Sequence, residues 1–153
     1  MASIKQNYQA TDTLTITLAS LNNNSGRAST KIDNTTMKAI DGKVYVKIKT
    51  ASSGVSSTGY VSVWLLSSFD GSNFDDGFGG TDGAFTPVNA KLIGYLTANA
   101  NSTTYTKVIN LEGLGVELPP QFSIGIYNAT GAALDGTAGN HSVIVQRFYK
   151  DVV

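Results

Sequence analysis

The chain has 153 residues, eleven Lys and Arg balanced by eleven Asp and Glu, no cysteine, and 41% hydrophobic residues. This length and apolar content suit one domain with its own core, and the lack of cysteine excludes disulfides, thiolate metal sites and cysteine nucleophiles. Charged residues are only 14%, which argues against nucleic-acid binding, since that relies on clustered Lys and Arg; polarity comes instead from Ser, Thr, Asn and Gly, and such a surface is cheap to desolvate against another protein.

Met1 to Thr11 carries one lysine and no apolar run, so a secretory leader is not expected. No run of apolar residues is long enough to span a membrane. The chain is expected to be made in a cytoplasm and to reach its place by assembly. Residues 1–12 are expected to be a flexible arm, ahead of a single β-domain at residues 13–153.

Thr13 to Leu18 alternates strictly, with Leu14, Ile16 and Leu18 on one face and threonines on the other, the pattern of a half-buried strand. Asn22 to Gly26 reads as a turn, and Arg27 to Ile32 as a second, weaker strand. Asp41-Gly42 reads as a reversal into the strand Lys43–Thr50, where Val44, Val46 and Ile48 face inward and the lysines form a solvent face. Ser52 to Ser57 is a loop. Gly59 to Ser68 is a long apolar strand, placed centrally, with Trp64 as core. Phe69 to Pro87, rich in Asp and Gly, reads as a long surface loop. Its Phe69, Phe74, Phe78 and Phe85 are too apolar to be all solvated, so some should pin the loop to the body or dock into a neighbour. Further strands are expected at Lys91–Thr97, Thr103–Asn110, Gln121–Asn128 and Ser142–Asp151, with at most one helical turn in Leu111–Leu118. About eight strands separated by turn signals predict an all-β, two-sheet antiparallel sandwich, specifically an eight-stranded jelly roll.

Chemistry is hard to find in this sequence. His141 is the only histidine, too few for a typical zinc site, and no serine sits in a nucleophile elbow. Most aspartates adjoin glycine, as in Asp70-Gly71, Asp82-Gly83 and Asp135-Gly136, which is turn chemistry. Asp70, Asp75, Asp76 and Asp82 could hold calcium, but Ser72 and Phe74 stand where an EF-hand needs its next ligands. No catalytic residue, cofactor or metal ligand is therefore assigned, and an enzyme is not expected.

Three stretches carry a resemblance. They are Gly26-Arg27-Ala28-Ser29-Thr30-Lys31-Ile32-Asp33-Asn34; Ser68-Phe69-Asp70-Gly71-Ser72-Asn73-Phe74 with Gly80-Thr81-Asp82-Gly83-Ala84-Phe85; and Leu118-Pro119-Pro120-Gln121-Phe122 with Asn128-Ala129-Thr130-Gly131. In this order and spacing they resemble a family of small phage and prophage proteins encoded among virion structural genes. The resemblance implies a β-sandwich in the virion, as a capsid decoration (cement) protein or a tail-associated component, with the major capsid protein or other virion subunits as partners. Symmetric self-association, as a trimer at a capsid three-fold position, is a further expectation. Ile4, Tyr8, Phe74, Phe78 and Phe85 are the candidate protein-contact residues. The alternative is a host-adhesion, carbohydrate-binding module, in which Trp64, Tyr60, Tyr95 or Tyr105 would stack on sugar rings.

Overall fold

A computed structural model describes residues 3–152. Two antiparallel sheets pack face to face. In the first, β1 (Ile4–Thr13), β10 (Ser142–Val152), β4 (Asp41–Lys49) and β8 (Thr104–Asn110) lie side by side in that order. In the second the order is β6 (Gly83–Phe85), β2 (Ser25–Ala28), β9 (Gln121–Ala129), β5 (Tyr60–Ser68) and β7 (Lys91–Thr97), with β3 (Ile32–Asp33) also on β9.

Four pairings explain the topology: β1 with β10, β2 with β9, β4 with β8, and β5 with β7. They lay the first half of the chain against the second as one long hairpin. Rolling that hairpin brings β10 beside β4 and β9 beside β5, which is the jelly roll that the strand count predicts. Two short strands go beyond the expected set. β3 resumes along β9 after β2 ends, and β6 adds to the outer edge of β2.

The core follows the period-2 pattern. Val44, Val46 and Ile48 of β4, Val61, Val63 and Leu65 of β5, Phe122, Ile124 and Ile126 of β9, and Val143 and Val145 of β10 fill the space between the sheets. Each such burial stabilises by about 1.5–3 kcal/mol relative to exposure. Leu14 and Ile16 pack against this core and Leu18 is buried in it, so the facing of Thr13–Leu18 is as predicted. The ladder, however, stops at Thr13. The Leu14 N–H still reaches the Val143 carbonyl at 2.9 Å, and then the segment turns to accept from the Thr30 N–H through the Thr15 carbonyl.

Three expectations need correction. Residues 4–13 are not a free arm: they form β1, hydrogen-bonded to β10; Met1 and Ala2 lie outside the described residues. Asp41-Gly42 is not a reversal: both residues belong to β4, where Gly42 faces Arg147 across the ladder and an added Cβ would come within 2.9 Å of the Gln146 carbonyl. The 69–87 stretch is not an undivided surface loop. It folds back over the outer face of the second sheet and builds a second small core, in which Phe74, Phe78 and Phe85 pack with Ala28, Leu66 and Ala90 against Trp64. The Phe85 ring packs closely over Gly125, where a Cβ would sit 2.5 Å from the ring.

Candidate docking surface

β1 changes character along its length. Thr11, Asp12 and Thr13 pair with Gln146, Val145 and Ile144 on the body of the sheet. A bulge between Tyr8 and Thr11 then bends the strand, and Ile4 to Tyr8 continue opposite Val152 to Phe148. β4 accompanies β10 only as far as Phe148. Beyond that point β1 and β10 form a two-stranded ribbon. Among the described residues, no strand pairs with the outer edge of β1, and the β10 half reaches the 111–117 segment through Lys150 and Glu112 at 4.0 Å.

The ribbon exposes apolar surface. Ile4 is 72% and Tyr8 53% exposed. The Tyr8 ring tilts against buried Phe148 at 5.5 Å, with the Lys43 ammonium 5.4 Å from its centroid. A groove of about 450 Å³ runs beside this base, lined by Gln6, Tyr8, Lys43, Asn110, Glu112 and Phe148 among others. A two-stranded ribbon by itself is marginal in water. One with open backbone edges and exposed apolar side chains is suited to pairing with, or lying along, another protein.

The root of the ribbon is held firmly. Arg147 points from β10 into the end of the sandwich and is 7% exposed. Its guanidinium donates to Asp12 Oδ2 of β1 at 3.0 Å, to the Asp33 carbonyl of β3 at 2.7 Å, and to Asn34 Oδ1 at 3.4 Å. Asn34 is itself buried and exchanges hydrogen bonds with the Ala39 backbone. One side chain thus ties both sheets together where the ribbon leaves the body.

Of the five candidate contacts, the structure leaves Ile4 and Tyr8 on the surface and takes away Phe74, Phe78 and Phe85, each only 6% exposed. They serve the chain's own second core. Phe69, read in the same loop, is the exposed one at 89%. It stands beside a groove of about 660 Å³ with Ile40, Leu118, Pro119 and Pro120. Period-2 reasoning cannot sort these phenylalanines, because the segment has no single period.

The groups that could carry chemistry are turned to structural tasks. His141 Nε2 meets the Asp135 carbonyl at 2.9 Å and Nδ1 lies 3.4 Å from the Lys49 N–H, so both ring nitrogens face backbone and no hydroxyl nucleophile. Burial depresses its pKa. Asp70 accepts from the backbone N–H groups of Asn73 and Ser72 and from the side chains of Asn73 and Ser68, which hold its carboxyl well below the usual range. Burial pushes Asp76 up, but the N–H groups of Val88, Asn89 and Ala90 more than offset it. Burial likewise raises Asp82, and Arg27 and Thr17 more than reverse it. Asp75 accepts from the Ser67 N–H. The four loop carboxylates therefore point to separate donors. Among the described residues no three His, Cys, Asp or Glu side chains gather as a metal site would require.

Of the aromatic residues with a possible sugar role, Tyr105 packs against the main core, and its hydroxyl serves the 99–100 backbone. Trp64 is half-buried, its indole N–H on Ser62 Oγ. Tyr60 and Tyr95 are exposed. No helix is long and apolar enough to cross a membrane among the described residues. The chain matches no protein-family model and no curated protein.

Proposed function

We propose that this chain is a non-enzymatic structural subunit of a bacteriophage virion, a capsid decoration protein that binds the assembled head through its β1–β10 ribbon. The observation that carries the assembly role is the ribbon itself. It is a two-stranded extension whose outer β1 edge pairs with no strand among the described residues, with Ile4 and Tyr8 on its surface and a buried arginine anchoring its root. The virion setting rests on the resemblance of the three sequence stretches to phage structural proteins.

The physics of such a role is simple. A subunit that binds the assembled shell and not its free components stabilises the shell by mass action. Many copies on one particle multiply a modest contact. A low-charge surface rich in Ser, Thr, Asn and Gly limits the cost of desolvating that contact.

Immunogold labelling of intact particles, viewed by electron microscopy, tests the reading. Label spread over heads is the expected result. Label confined to tails would replace the decoration role with a tail-associated one, and unlabelled particles would remove the virion assignment.

A further inference from the structure

The second sheet has an outer face that is covered only in part. The 69–90 segment roofs Leu66 and Ala28 with its phenylalanines. Toward the start of β5 the face is open. There Tyr95 of β7 and Tyr127 of β9 stand on either side of Ser62, and Tyr60 lies two residues earlier on the same face of β5. Tyr60 is 45% and Tyr95 58% exposed. Between them lies a groove of about 340 Å³, completed by Thr58, Gly59 and Thr97.

Two contacts set this surface in place. Ser62 Oγ accepts the Trp64 indole N–H at 2.9 Å, which ties together two neighbours on the same face of β5. Lys107, reaching across from the edge of the other sheet, donates to the Tyr95 carbonyl at 2.9 Å and rests 5.5 Å from the Tyr95 ring centroid. Lys107 does not line the groove. Tyr95 is thus steadied from the outside, and its groove side stays free.

The lining selects among ligands. It contains no ionised group, so it offers no charge to pair with an anion or a cation. The lining is mainly the apolar faces of Tyr60 and Tyr95, with the hydroxyls of Tyr60, Tyr95 and Thr97 among them, so a ligand that offers both C–H groups and hydroxyls matches it better than a purely apolar one. A neutral sugar ring satisfies both halves of the lining: its C–H face lies on tyrosine, and its hydroxyls exchange hydrogen bonds with the tyrosine and threonine hydroxyls, each able to donate and to accept. We infer that the Tyr60–Tyr95 groove binds a neutral hexopyranose, either a free sugar or one ring of a glycan chain. This inference is independent of the ribbon, which lies on the other sheet.

The test is an ¹H–¹⁵N NMR titration of the whole chain. The probes are the methyl glycosides of glucose, galactose, mannose and N-acetylglucosamine, and the linear tetrasaccharides of glucose and N-acetylglucosamine. At least one probe should shift the amides of residues 59–62 and 95–97 in a saturable manner. Tyr95→Ala should weaken that binding about tenfold, and Tyr95→Phe should keep most of it. A tetrasaccharide that binds more tightly than its monomer identifies a chain ligand; equal affinity identifies a single ring. Both tyrosines are exposed, so the variants should retain the parent spectrum elsewhere. The inference is overturned if no probe gives saturable shifts at these amides, or if shifts persist unchanged in the Tyr60→Ala/Tyr95→Ala double variant.

Discussion

The Asp12–Arg147 pair gives a prediction whose sign runs against the usual burial intuition. The arginine side chain is 8% exposed and the aspartate side chain 43%. Removing the buried member with Arg147→Met keeps most of the apolar stem and leaves behind a carboxylate that water already reaches. The loss is then one set of charge-assisted hydrogen bonds, about 1–2 kcal/mol. Removing the exposed member with Asp12→Ala leaves a guanidinium buried with only neutral acceptors, the Asp33 carbonyl and Asn34 Oδ1, and its Nε already lacks a partner. Stranding a buried charge costs about 3 kcal/mol. Asp12→Ala should therefore destabilise more than Arg147→Met, and the double variant should resemble Arg147→Met alone. For a domain of this size, Asp12→Ala should lower Tm by about 6–10 °C. Urea denaturation of all four proteins, closed as a double-mutant cycle, reads the coupling directly. A larger loss for Arg147→Met, or additive single effects, would refute the argument.

Other consequences follow from the second core and from the aspartates. Phe85→Ala should cost about 3 kcal/mol or more, because it empties the small core under the 69–90 segment, whereas Phe69→Ala should stay within about 0.5 kcal/mol; equal effects in chemical denaturation would mean that the loop does not pack as described. Asp33, Asp70, Asp76, Asp82 and Asp135 all have pKa values held below the ordinary aspartate value. Their contribution is present above the unfolded value and is lost as pH falls through the folded values, so Tm should drop from about pH 4 downward. Asp135, lowered to about 2 by the Asn140 side chain and then the Thr137 N–H, should account for part of that drop, and Asp135→Asn should make the acid limb of the Tm profile shallower. A profile with no acid limb would contradict these assignments.

The strands that could be read from sequence are those with one wet face or a strong apolar run. β4, β5, β9 and β10 each carry a regular inward set that fills the core; that of β4, Val44, Val46 and Ile48, is the predicted one, whereas Trp64, read as core, packs half-buried against the second, outer cluster. β1 is not legible because Gln6 and Asp12 interrupt the face that carries Ile4, Tyr8 and Ala10, and its other face is wholly polar. What makes it a strand is a ladder to residues at the other end of the sequence, and no local pattern records that. The phenylalanines of the 69–90 segment announced that some apolar surface must be hidden. Which ones are hidden depends on Gly125 and Ala28 leaving room on a distant sheet face. Asp41-Gly42 shows the reverse error: a dipeptide common in turns sits in a strand, because glycine is needed where β4 passes close to the backbone of β10.

Co-sedimentation with phage particles stripped of this chain tests the central claim most directly, comparing the native chain with an Ile4→Ser/Tyr8→Ser variant. Both substituted side chains are largely exposed, and the lost Tyr8–Phe148 contact should cost no more than about 1 kcal/mol, so the variant should fold. The account predicts that the native chain pellets with the particles and that the folded variant stays in the supernatant. Equal binding by the two proteins would contradict a docking role for the ribbon.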